Sequence, residues 1–98
     1  SLAKELTSVP VTSMQIGDVL IQGGSPGHAV IVVDMAENPA TGEKLYLLAQ
    51  SYMPAQDIQV LENPKERDKS PWYTLKRMGN ILTPEWRFTS ANLKRFKD

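Results

Sequence analysis

Apolar positions in this chain group at strand spacing. Val19 to Gln22 is a short apolar run after the turn signal Gly17-Asp18. It ends at Gly23-Gly24-Ser25-Pro26-Gly27, whose three glycines permit positive φ in a tight turn. His28 follows, and then five apolar residues, Ala29 to Val33. So unbroken a run predicts a central strand over 28–35, buried on both faces. Glu37 to Glu43 is polar and reads as a hairpin loop, which makes 44–50 an antiparallel return strand. Asp57 to Leu61 reads as a third strand, and Ile81-Leu82 and Trp86-Arg87-Phe88 as two short ones.

Helical spacing is confined to the ends. Leu2, Ala3 and Leu6 share one helical face. Ser90 to Phe96 reads as a helix capped by Thr89 or Ser90, with Leu93 and Phe96 on one side. The predicted class is therefore α+β, a small curved antiparallel sheet resembling a half-barrel, with short terminal helices. Local hairpin connectivity favours antiparallel pairing, because parallel pairs need a long crossover. The 98 residues make one domain, 1–98. The opening Ser1-Leu2-Ala3 reads as the interior of a helix, so the domain is expected to be the C-terminal part of a longer protein.

Composition narrows the chemistry. Eleven basic and eleven acidic residues cancel, so no long-range field draws the chain to nucleic acid or anionic lipid. No apolar run reaches the ~18 residues of a membrane span. There is no cysteine, which removes disulfides, thiolate nucleophiles and cysteine metal sites from these 98 residues. One histidine with scattered carboxylates makes no metal set, and Gly23 to Gly27 lacks the lysine of a phosphate loop. No cofactor is expected.

His28, the sole histidine, is the first candidate for chemistry. A single histidine is as often structural as functional. Its position after a glycine-rich turn leaves the ring approachable. Centring the 37–43 hairpin between Pro39 and Thr41 puts His28 near residues 50 to 52. A one-residue change of register reverses the face of every side chain, so Gln50 and Ser51 remain equal neighbours on this argument. Either could hold one imidazole nitrogen, the orienting role in a nucleophile–base–orienter set. Ser25 and Ser51 are nucleophiles by type only, and a turn serine more often caps backbone.

The aromatic residues Tyr46, Tyr52, Trp72, Tyr73, Trp86, Phe88 and Phe96 serve a small core first. Trp72-Tyr73, directly after the charged stretch 63–70, is the better candidate for a sugar or peptide platform. Lys94-Arg95-Phe96-Lys97 reads as a helix C-terminus using its dipole.

The stretch G-D-V-L-I-Q-G-G-S-P-G-H-A-V-I-V-V-D, followed by L-L-A-Q-S-Y-M-P-A-Q, P-W-Y and T-P-E-W, closely resembles domain-of-unknown-function family 4846. That is a bacterial family found largely in envelope proteins, and the resemblance implies a cell-envelope or periplasmic setting. Over about 35 residues, G-D-V, then H-A-V-I-V-V-D, then a polar residue ending the next strand is similar to the NlpC and CHAP cell-wall peptidases. Those are papain-like cysteine enzymes. On that comparison His28 matches the general base and Gln50 its orienter.

The comparison implies the β-rich half of a cell-wall amidase or peptidase acting on cell-wall peptide or glycan. Its cysteine would come from a segment preceding this one, so the 98 residues alone are not expected to hydrolyse anything. The alternative is a non-catalytic peptide- or glycan-binding module using Ser51, Tyr52, Trp72 and Tyr73.

Overall fold

A computed structural model describes residues 5–23, 27–52 and 57–97, with residues 51, 52 and 57 described by their backbone alone. The strands are β1 (Leu6–Ser8), β2 (Val19–Gln22), β3 (His28–Glu37), β4 (Lys44–Tyr52), β5 (Asp57–Val60), β6 (Tyr73–Thr74), β7 (Asn80–Leu82), β8 (Arg87–Thr89) and β9 (Leu93–Phe96). The main sheet runs β1-β9-β2-β3-β4-β5, with β6 also paired to β4. β7 and β8 form a separate two-stranded ribbon. Every pairing is antiparallel, and the sheet is not closed into a barrel.

The expected α+β class is corrected to a mostly β fold, with no α-helix among the described residues. Where a capped helix was expected over Ser90 to Phe96, the chain makes one 3-10 turn, Ser90–Asn92, and then enters β9. The cap itself is real, because Thr89 and Asn92 form a reciprocal capping box. The turn stops there because β9 is inserted between β1 and β2. Leu93 pairs with Leu20 and is fully buried, and Arg95 pairs with Thr7. Long-range pairing therefore overrides the helical spacing of Leu93 and Phe96. At the other end Leu6, the last residue of the expected first helix, begins β1 opposite Phe96. Residues 1–4 lie outside the described residues.

The three central strands pair as their patterns predict, β2 with β3 and β3 with β4. Burial of β3 on both faces does not hold. Val30 and Val32 are buried, whereas Ala29, Ile31 and Val33 face outward and are exposed. The covered face carries Leu20, Val30, Val32, Tyr46, Leu48 and Leu93. Phe88 of the ribbon and Tyr73 of β6 pack on this face, with Val11, Met14 and Leu61 from the connecting segments. Those segments supply one covering layer, so the outer face keeps Ile31, Val33, Ile58 and Val60 in solvent.

An ion pair between a buried carboxylate and a partly exposed arginine fixes the β2–β9 corner. The Asp18 carboxylate, nearly fully buried, accepts from Arg95 Nε at 2.8 Å and Nη2 at 2.9 Å. It also accepts from the backbone N–H of Gln15 at 2.8 Å, closing the turn before β2. Arg95 Nη2 donates to the Ser13 carbonyl as well. A fork held by three acceptors fixes geometry better than a point charge does. The hydrogen bond to Asp18 also holds the Arg95 guanidinium above its already high usual range.

Candidate functional site around His28

His28 opens β3 directly opposite Gln22, the last residue of β2. Residues 23–27 connect them, of which 24–26, including Ser25, lie outside the described residues. Directly paired residues share a face, so Gln22 and His28 both sit on the covered face, at the end of the row that contains Leu20 and Val30.

Gln50 reaches the same face through a β-bulge. At the turn end of the hairpin the pairs are Glu37 with Lys44, Ala36 with Leu45, Met35 with Tyr46 and Asp34 with Leu47. Beyond the irregularity at Val33 they are Val32 with Leu48 and Ile31 with Ala49. One extra residue on β3 has shifted the register by one. Continued one step, this register sets Gln50 across from Val30, two residues from His28 and on its face. The unshifted register would have set Gln50 across from Ile31, facing out.

The contact is short. His28 Nε2 lies 3.1 Å from Gln50 Oε1. An amide oxygen only accepts, so Nε2 carries the proton and Nδ1 carries the lone pair. Nδ1 has no hydrogen-bond partner among the described residues. The ring lies against Trp86, with centroids 4.9 Å apart and planes 8° from parallel. Phe88 approaches at 5.9 Å, tilted by 39°. The ring is half-buried, with one nitrogen held and the other free to accept a proton. That is the arrangement a general base needs.

Residues 1–95 match the family described as a domain of unknown function (4846). The chain belongs to that family. No curated protein and no solved structure matches it.

The remaining candidates of this 4846-family domain are Ser51, Tyr52, Trp72 and Tyr73. Ser51 and Tyr52 are in β4, with backbones paired to Ile58 and Asp57, and their side chains lie outside what is described. Tyr73 is a core residue rather than a platform. It is only 4% exposed, stacks on Tyr46 at 5.6 Å, and donates its hydroxyl to the Glu62 carbonyl. Burial pushes both tyrosine hydroxyls well above their usual value near 10. Trp72 is half-buried, and its carbonyl accepts from Asn63 Nδ2. β6 pairs with β4 at Leu45 and Tyr46, about 13 Å along the strand from Gln50. His28 and Trp72-Tyr73 therefore do not form one groove.

A cleft of about 520 Å³ is lined by Val60, Glu62, Arg67, Ser70, Pro71 and Pro84, and His28 and Gln50 do not line it. Geometry around the ring is the better guide to chemistry here. Among the described residues no three His, Asp or Glu side chains are placed to hold a metal, and no helix is long and apolar enough to cross a membrane.

Gln22, Trp86 and Phe88, the other residues beside the ring, are not among the site residues read from sequence. For Gln22 a signal existed. A turn centred on Ser25 sets residue 22 opposite residue 28, and a lone polar residue ends the apolar run of β2 there.

Proposed function

We propose that this domain carries the base-bearing half of a hydrolytic site whose substrate is an amide in cell-wall peptide. His28 is the base and Gln50 its orienter. The observation that supports this reading is the 3.1 Å contact between His28 Nε2 and Gln50 Oε1, which leaves Nδ1 as the proton acceptor. The nucleophile is a cysteine supplied by a segment preceding this one. Its S–H proton passes to Nδ1 and the thiolate adds to the substrate carbonyl. The imidazolium then returns the proton to the departing amine as the C–N bond breaks. Nδ1 next takes a proton from water, whose oxygen replaces sulfur on the acyl carbon, and the proton passes on to the departing sulfur. Gln50 accepts from Nε2–H throughout and stabilises the ring when it is charged. Such a substrate places the protein in the cell envelope.

A second reading is a non-catalytic module that holds a peptide or glycan at the same place. One observation favours it, the absence of any cysteine from the 98 residues.

The test is hydrolysis of cell-wall peptides by the complete gene product. The first reading expects turnover, reduced at least about a hundredfold in His28→Ala and less in Gln50→Ala. Peptide binding without turnover, weakened by His28→Ala, would reject it and favour the second reading.

A further inference from the structure

The β7–β8 ribbon has no backbone ladder to the main sheet; side chains hold it there. The centre of that attachment is Gln22, and every hydrogen-bonding direction of its amide nitrogen is used. Its Oε1 accepts from Trp86 Nε1 at 2.8 Å. Its Nε2 donates to Asn92 Oδ1 at 2.9 Å and to the Arg87 carbonyl at 3.0 Å. Asn92 Oδ1 in turn accepts from the Thr89 backbone N–H at 2.7 Å and from Thr89 Oγ1 at 3.3 Å. An amide with both its hydrogens and its oxygen engaged has one orientation, and the indole it grips has one as well.

From this network we infer that Gln22 and Trp86 are positioning residues for His28, a latch by which the ribbon fixes the plane of the imidazole. The hydrogen bond to Gln50 defines one axis and leaves the ring free to swing about it. The Trp86 face, 8° from parallel, removes that freedom, and Phe88 closes one edge. Gln22 holds Trp86 from the strand directly opposite His28. Base, orienter and latch thus come from β3, β4, β2 and the ribbon, and Nδ1 is left without a hydrogen-bond partner among the described residues. The latch concerns the ring itself. Only its catalytic consequence rests on the reading of His28 as a base.

The experiment is NMR on the isotope-labelled full chain, where a single histidine gives one set of ring signals. Gln22→Met keeps the volume of the side chain and removes its hydrogen bonds. Trp86→Phe keeps an aromatic face and removes the N–H. Both are expected to leave the backbone amide pattern of β3 and β4 in place. Both should reduce the ring-current shift that Trp86 imposes on the His28 ring protons. They should also speed solvent exchange of the Nε2 proton about tenfold, the size expected from losing one net hydrogen bond. Unchanged His28 shifts and exchange in either folded variant would overturn the latch. So would unfolding of both variants, since the residues would then support the core and not the ring. Neither readout involves turnover. A protein that hydrolyses nothing can still show the latch, and a hydrolase without the latch can still be recognised.

Discussion

His28 and Gln50 meet through a diagonal relation across two strands, two residues out of direct pairing, and the bulge at Val33 absorbs the one extra residue that a continuous ladder would turn into a change of face. Val33 is outward and exposed, so its side chain contributes little to the core. Its role is its place in the count.

Deleting Val33 brings Val32 and Asp34 into sequence while their partners Leu48 and Leu47 are already in sequence. The ladder on both sides then keeps its pairs. The expected result is a folded deletion variant in which the ring signals of His28 still report the Gln50 contact. Its ladder should show continuous cross-strand proximities through the former bulge. Loss of the His28 contact with the fold preserved would show that the bulge acts through local twist and not through register.

Asn63 should organise the charged 63–70 loop, which is not simply a solvated tether. It is buried, its Oδ1 accepts from the backbone N–H groups of Lys65 and Glu66, and its Nδ2 donates to the Trp72 carbonyl. Asn63→Ala is expected to lower stability by about 2 kcal/mol, from three part-buried hydrogen bonds lost together. Asn63→Asp keeps both acceptor contacts and should cost less. Denaturant midpoints compare the two, and faster amide exchange at Lys65 and Glu66 in the alanine variant locates the damage. Equal stability of Asn63→Ala and the parent would mean that the loop holds itself.

Stability should fall at alkaline pH because of Tyr46 and Tyr73. Burial raises both hydroxyls above their unfolded value near 10, with the neighbouring Tyr73 and Glu66 adding to the effect at Tyr46. Above pH 10 the unfolded chain loses these protons and the folded chain keeps them. The folded state then binds more protons, and unfolding becomes easier as pH rises. Each tyrosine contributes a slope of up to about 1.4 kcal/mol per pH unit in that range. Below pH 10 neither contributes a slope. Urea unfolding between pH 9 and about 11.5 measures this, and Tyr73→Phe should remove one share of the slope. A slope unaltered in that variant would assign the alkaline loss to other groups.

The hairpin strands were legible because their apolar runs are bounded by local turn signals. Gln50 was reached only to within a residue, since nothing in A-V-I-V-V announces a bulge at Val33. Resemblance, not pattern, chose Gln50 over Ser51. The terminal helix was misread because the partners of Leu93 and Phe96, namely Leu20 and Leu6, lie more than seventy residues away in sequence. Spacing of three fits a helix until those partners are known. Trp86 could be listed as an aromatic but not placed on His28, because the ribbon docks through side chains rather than a ladder. The exposure of Ile31 and Val33 was equally hidden, since an apolar run does not say how many layers will cover it.

The state of the His28 ring tests the central claim most directly. Nitrogen NMR of the single histidine, recorded where the ring is neutral, distinguishes the protonated from the bare nitrogen and shows whether the ring proton is shielded from solvent. The expected result is a proton on Nε2 that exchanges slowly, proximity of that proton to the Gln50 side chain, and a bare Nδ1. Gln50→Ala should abolish the slow exchange. A proton on Nδ1, or a freely exchanging Nε2 proton that is indifferent to Gln50→Ala, would contradict it.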